Sequence, residues 1–333
     1  MKTVIAALRA GLVGEMEHDP SVFVMGEDIG IGGSFHLTLG LLDRFGPERV
    51  RDTPVSEAGF VGLAVGAAIA GMRPVVDFQY GDFLLCAADQ VIQQACKLRL
   101  MSGGQVRVPL TLHAPTGASG RGAQHANSIE NFFYGVPGLI VGLPSTPYDA
   151  KGMLTAAIRA DDPVLICSHK HLYGSKGRKI EASAAVEDVP DEPYEIPIGE
   201  AVIRRRGRHV TIVGALLMVH RALQAADVLA AEGIDAEVID IRWVSPLDTG
   251  TVVDSVRRTG RLVVVEEGPR RGGWGGTIGA AVADQAFDAL DAPIRRLTGP
   301  DHPMPFAPHL EAALIPTVER IVQTVRQLTE TRA

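Results

Sequence analysis

The sequence predicts an α/β protein of two domains, each a mostly parallel sheet flanked by helices, and three observations predict it. Apolar runs of strand length alternate with helical stretches along the whole chain, the grammar of a parallel sheet with covering helices. At 333 residues the chain exceeds one ordinary core and fits two. The periodicity fails once, from about Ser175 to Glu200, where Gly, Lys, Pro, Asp and Glu dominate, as in Val189-Pro190-Asp191-Glu192-Pro193. The expected division is a first domain over 1–185, a linker over 186–199 and a second domain over 200–333.

In the first half a helix is expected from Val4 to Glu17, a short strand at Val22 to Met25, a second strand from Pro74 to Phe78 and a helix from Ala88 to Met101. Strands then fit Val108 to His113, Leu139 to Leu143 and Pro163 to Cys167, with a helix from Pro147 to Arg159 between the last two. The second half repeats strand-helix units: strand Val210 to Val213, helix Met218 to Glu232, strand Ala236 to Ile241, helix Asp248 to Arg258 and strand Leu262 to Val265. A helix from Gly276 to Leu290, a strand from Ile294 to Leu297 and an amphipathic helix from Thr317 to Thr329 complete it. The Gly-rich stretch Gly268 to Gly276 lacks the Lys-Ser/Thr ending of a P-loop and the spacing of a dinucleotide fingerprint, so it reads as a turn carrying a protein-contacting Trp274.

Composition excludes several classes. A formal net charge of −7, with 21% charged and 46% hydrophobic residues, describes a globular enzyme rather than a nucleic-acid binder. The one dense basic cluster, Arg204-Arg205-Arg206 with Arg208, reads as a solvated strand-turn edge, with phosphate binding as the alternative. Arg9, Glu15 and Glu17 interrupt the N-terminal pattern, unlike a signal peptide, and no stretch is apolar enough to span a bilayer. Cys86, Cys96 and Cys167 show neither metal-ligand spacing nor a disulfide framework; they are expected as buried inert thiols in a reducing cytoplasm.

The most informative residue is Glu57. It joins the extended segment Arg51 to Ser56 to a helix of unusually small residues, Ala58 to Gly71. Pro54 keeps Thr53 extended, and so many Gly and Ala cost helix propensity that close packing must compensate. Alone, such a glutamate is a helix-terminal charge favoured by the macrodipole. Its surroundings say more: Asp52-Thr53-Pro54-Val55-Ser56-Glu57-Ala58-Gly59-Phe60-Val61-Gly62 resembles the cofactor-activating segment of the β subunits of thiamine-diphosphate-dependent 2-oxoacid and acetoin dehydrogenases, within the transketolase-like superfamily. The resemblance continues through Met25 to Gly30, Phe45 to Val50, Met101 to Gly104, Val136 to Leu139, Pro144 to Gly152 and Ser245 to Asp248, and so covers essentially the whole chain.

The resemblance implies a transketolase-like pyrimidine-binding domain followed by a transketolase C-terminal-like domain. It implies that Glu57 hydrogen-bonds the pyrimidine nitrogen of thiamine diphosphate, a role that needs a carboxylate sharing a proton near neutral pH. It implies that Phe83 stacks on the pyrimidine, and that Glu27 and Asp89 belong to an acidic path between paired cofactor sites. It places His125, in the Gly-rich loop Gly117 to His125, toward substrate and an incoming lipoyl group, where imidazole suits proton transfer. The sequence has no Gly-Asp-Gly, with which such enzymes hold the diphosphate through a metal. The resemblance therefore implies a separate α subunit carrying the Mg²⁺ and diphosphate ligands, an α₂β₂ heterotetramer, and a dihydrolipoyl acyltransferase partner with a lipoyl domain.

Departures limit the transfer. Ala126-Asn127-Ser128 follows His125 in place of the usual Ser-Gln-Ser, His113 stands where many relatives have Arg, and Ser168 replaces a common Glu. A potassium site of some relatives maps onto Ala157, Ile158 and Asp162, but Ala160 replaces its usual Asp. The stretch His169 to Gly177 looks more acetoin-type than pyruvate-type. Three alternatives stay open: a pyruvate or branched-chain 2-oxoacid dehydrogenase β subunit, a stand-alone two-subunit thiamine-diphosphate lyase or ligase, and a chemically idle scaffold. The trio of Glu57, Phe83 and His125 argues against the scaffold.

Overall fold

The computed structural model describes residues 1–174 and 186–330; the end of the expected first domain and Ser175 to Gly177 of the acetoin-like stretch lie outside them. Strands and helices run β1 Lys2–Thr3, α1 Val4–His18, β2 Val22–Gly26, α2 Leu41–Phe45, β3 Val50–Asp52, α3 Glu57–Ile69, β4 Arg73–Asp77, α4 Cys96–Met101, β5 Thr111–Thr116, α5 Glu130–Phe133, β6 Ile140–Gly142, α6 Pro147–Arg159, β7 Val164–His169 and β8 Val186–Glu187. They continue β9 Val202–Arg205, β10 Val210–Gly214, α7 Leu217–Ala231, β11 Ala236–Asp240, β12 Trp243–Ser245, α8 Thr249–Thr259, β13 Leu262–Pro269, α9 Gly275–Gln285, β14 Arg295–Gly299, α10 Pro308–Leu314 and α11 Val318–Glu330.

The chain forms two compact units. The first is Met1–Thr116 with Phe133–Ile198; the second joins Gly117–Phe132 to the residues from Gly199 onward. In the first unit the strand order β6-β7-β5-β4-β2-β3 is parallel throughout. β2, β5 and β7 are buried along their whole length; β2 accordingly reads as an unbroken apolar run, while β5 and β7 also bury polar residues, His113 and Ser168 among them. Helix α1 starts where Thr3 accepts from the Ala6 N–H, and it packs on α6, whose start is set by Thr146 and Pro147. Between these helices the buried Glu15 takes a two-pronged bond from Arg159, at 2.8 and 2.9 Å.

The expected linker is instead part of the first unit up to Ile198. β8 pairs antiparallel with β1. Lys151 donates to the carbonyls of Pro190, Asp191 and Glu192, and the Ile196 N–H donates to Gly152. These polar residues lack periodicity because side chains and carbonyls distant in sequence, not a strand ladder, hold them.

In the second unit the order is β14-β13-β10-β11-β9, parallel except for the antiparallel edge strand β9. The basic cluster is exposed at Arg206 and Arg208, as the solvated edge predicts, and each arginine on and beyond β9 also faces a carboxylate. Arg204 pairs with the fully buried Asp240 at 2.9 Å, Arg205 with Asp227 at 2.5 Å and Arg206 with Glu237 at 3.9 Å, so the charge that would attract a phosphate is already answered. Trp274 is buried at the turn before α9, as its sequence setting predicts.

Two local expectations change. The helix expected over Ala88 to Met101 is a π-helical segment, Gln90–Ala95, running into α4, preceded by a 3₁₀ segment at Gly81–Ala87. The cysteines are not uniformly buried: Cys167 is, Cys96 is half-buried with burial pushing its thiol up to about 12, and Cys86 is exposed.

Candidate functional site

The carboxyl ends of β2, β3 and β4, adjacent in one parallel sheet, bring the chemistry of the first unit together. Such ends leave backbone groups without a ladder partner and are where open α/β sheets place ligands. β2 ends at Gly26, whose φ of +157° and whose absent Cβ, 2.3 Å from the Asp77 carbonyl, admit no other side chain there. The chain then turns through Glu27 and Asp28, the latter in the left-handed region. The Gln79 amide donates to the Glu27 carbonyl at 2.7 Å and so fixes the turn against the segment after β4.

Glu27 is half-buried, and its Oε1 is fully enclosed with no hydrogen-bond partner. Burial first, then the charges of Glu57 and Asp28, push its carboxyl above the ordinary range. Glu57 is the first residue of α3, placed there by the extended run after β3, and its half-buried carboxyl faces the charge of Glu27. Beside them the Thr53 N–H donates to the Gly26 carbonyl at 3.0 Å, while the enclosed Thr53 Oγ1 has no partner. Within this chain the small residues of α3 are only partly packed: Ala64 and Ala68 are buried and a Cβ at Gly62 would lie 3.0 Å from Gln90 Oε1, while Ala58, Gly59 and Gly66 are exposed and Gly66 has open space around it.

An aromatic wall stands on the same segment. Phe83 is half-buried and meets Tyr80 edge-on at 5.9 Å; Tyr80 meets Phe35 at 5.3 Å, and Phe35 meets Tyr173 at 5.2 Å. Asp89 is exposed and accepts from the Gln90 amide at 3.2 Å. The charges that raise the Glu27 carboxyl are those of Glu57 and Asp28.

Next to this wall the structure reveals a buried chain of polar groups. Asp77 Oδ1 accepts from His113 Nδ1 at 2.7 Å, His113 Nε2 faces Ser168 Oγ at 2.6 Å, and Ser168 Oγ lies 2.6 Å from the Tyr173 hydroxyl. His113 and Ser168, two separate departures from the family pattern, are thus bonded to each other. Burial holds the Tyr173 hydroxyl well above its ordinary range, so it stays a donor.

His125 lies on the segment 117–132, grouped with the second unit, where its N–H donates to the Gly122 carbonyl at 3.1 Å.

Comparison with known proteins decides the family. The description "Transketolase, pyrimidine binding domain" matches residues 1–176 and "Transketolase, C-terminal domain" matches residues 199–321. The chain is 46% identical over 327 residues to the mitochondrial pyruvate dehydrogenase E1 component subunit beta-2 of Oryza sativa subsp. japonica, covering 98% of this chain and 85% of that one. It is 45% identical to the acetoin:2,6-dichlorophenolindophenol oxidoreductase subunit beta of Cupriavidus necator, covering 96% and 95% of the two chains. To the 2-oxoisovalerate dehydrogenase subunit beta of Bacillus subtilis it is 41% identical, covering 98% of both. The chain belongs to the E1 β-subunit family of 2-oxoacid and acetoin dehydrogenases. A solved "Split gene transketolase, inactive beta4 tetramer" shares the fold, with a TM-score of 0.78 at 24% identity over 100% of this chain and 99% of that one.

For an E1 β subunit the first unit offers a fitting seat for the pyrimidine end of thiamine diphosphate. Glu27 Oε1 and Thr53 Oγ1 are enclosed without hydrogen-bond partners, the Glu57 charge acts on Glu27, and Phe83 is half-buried on the segment that follows β4. The residues mapped to potassium fit less well. The Ile158 carbonyl accepts from Arg73 at 2.9 Å, Asp162 accepts from Arg99 at 2.6 Å and the Ala157 carbonyl accepts from the Ala160 N–H, so a cation there would share these oxygens with the donors they already have. Among the described residues no three His, Cys, Asp or Glu side chains gather as a metal site, and no helix is long and apolar enough to cross a membrane.

Sequence reasoning missed Gln79, which ties the Glu27 turn to the aromatic segment, and the pairing of His113 with Ser168. The available signal was position: Asp77 and Ser168 fall at the carboxyl ends of β4 and β7, and His113 is the register partner of Asp77 on the strand between them.

Proposed function

We propose that this chain is the β subunit of a thiamine-diphosphate-dependent first component that cleaves acetoin or decarboxylates a 2-oxo acid and passes the acyl group to a lipoyl domain. The observation that carries the reading is Glu57 at the start of α3 together with Glu27, on which its charge acts and whose Oε1 is enclosed without a hydrogen-bond partner. Bound there, the cofactor supplies the electron sink for carbon-carbon cleavage.

The chain's own residues do the rest. Glu57 holds a proton at the pyrimidine nitrogen. Glu27, whose environment favours its protonated form, keeps the pair from carrying two full negative charges side by side. Phe83 packs on the ring face and excludes water. His125 moves a proton at the departing acyl group or the arriving lipoyl sulfur. The diphosphate and Mg²⁺ are held by a separate α subunit in an α₂β₂ assembly, since the sequence lacks the Gly-Asp-Gly motif.

Calorimetric titration tests the split site. The purified chain alone should show no tight, Mg²⁺-dependent binding of thiamine diphosphate, and mixing with its α partner should restore both binding and turnover. Tight Mg²⁺-dependent binding by the isolated chain refutes the split site.

A further inference from the structure

The loop that carries His125 is tied down by two acidic side chains far away in sequence. Along β13 successive side chains point to opposite sides. Glu266 turns to one, where it accepts from Arg296 Nη2 at 2.7 Å and from the Gly275 N–H at 3.0 Å. Glu267 turns to the other, where Oε1 accepts from the backbone N–H of Ala118 at 2.6 Å. Two residues further along the loop, the Gly120 N–H donates to both oxygens of Glu311, at 2.9 and 3.0 Å. Glu311 sits on α10 and is only 6% exposed.

The loop's shape is built for these contacts. Gly120 has φ +71° and Gly122 φ +79°, and a Cβ at Gly122 would lie 3.2 Å from the Phe306 ring. The Gly117 N–H donates to the Asn127 carbonyl at 3.2 Å and closes the base. An exposed Gly-rich loop ordinarily gives its amides to water. Here two amides within three residues bond to carboxylates, bonds stronger than neutral ones. Burying Glu311 costs desolvation that a loop without a fixed position would not require.

We propose that Glu267 and Glu311 are positioning residues that hold the His125 loop in one conformation, so that the imidazole is presented in place for acyl handover. The functional half of this statement rests on the role given to His125 above. The latch itself rests on the two carboxylate-amide contacts.

Hydrogen-deuterium exchange by mass spectrometry on the assembled enzyme tests it, using Glu267→Ala, Glu311→Ala and the two Gln variants, which keep an acceptor oxygen. The Ala variants should speed exchange over residues 117–125 by about tenfold or more, the loss of a charge-assisted bond, with β10 and β11 unchanged. The Gln variants should recover much of the protection. In turnover assays the Ala variants should lose more rate with a lipoyl domain than with an artificial electron acceptor. Because Glu267 is half-buried, Glu267→Ala decides the matter if Glu311→Ala fails to assemble. Unchanged loop exchange overturns the latch, and so does exchange raised throughout the second unit, which would make the carboxylates fold stabilisers. His125→Ala run alongside separates the two layers: if it is silent in both assays the handover role fails, while loop exchange still decides the latch.

Discussion

Gly26 and Asp77 are register partners on neighbouring strands, yet the polar clusters that begin beside them behave in opposite ways. From Asp77 the chain through His113, Ser168 and Tyr173 closes every link inside the protein, at 2.6 to 2.7 Å. From Gly26 the cluster of Glu27, Thr53 and Glu57 leaves two enclosed oxygens without partners and presses like charges together. Buried polar groups are costly unless bonded. The first cluster is internally satisfied, and the unpartnered oxygens of the second support the binding role proposed for it. The contrast separates the wall of the site from the site itself.

The largest expected effect breaks the contrast at its unsatisfied side. Glu57→Gln in the assembled enzyme keeps the shape and removes the titrating proton, and should lower turnover by roughly 10²-fold or more with folding and assembly intact. The check is exchange at the thiazolium carbon of bound cofactor followed by NMR; exchange as fast as in the parent removes Glu57 from proton management.

The next effect lies on the satisfied side. His113→Ala strands the buried Asp77 carboxylate and takes one partner from Ser168, so the chain should lose about 1–3 kcal/mol of stability, read by denaturant unfolding. A loss below about 0.5 kcal/mol, the size of an ordinary surface change, would mean that the network is not a scaffold.

The smallest effect sharpens the charge argument. Burial, Glu57 and Asp28 raise the Glu27 carboxyl above its ordinary 4.5. Between that value and the folded one the native state binds more protons than the unfolded chain, so stability falls as pH rises through the window. Glu27→Gln should match the parent below pH 4.5 and exceed it near neutrality, with Tm higher by about 1–3 °C. A variant less stable than the parent at neutral pH would show that the negative charge is wanted there.

Local rules in the sequence determined a great deal. The alternation of apolar runs and helices established two parallel-sheet units, because a strand buried on both faces is apolar over most of its length, as in β2 and β10. Thr146-Pro147 marked the start of α6 and Pro54 the extended approach to Glu57, each through its own backbone restriction. Only the tertiary structure decided the rest. It drew residues 186–198 into the first unit through Lys151 and β1, and it gave the His125 loop to the second through Glu267 and Glu311. It joined His113 to Ser168 across β5 and β7, and paired the arginines of β9 with carboxylates on β11 and α7. These contacts link residues from 22 to 191 positions apart. Propensity and periodicity describe a residue's neighbours along the chain, and a bond between distant residues leaves no period in either segment.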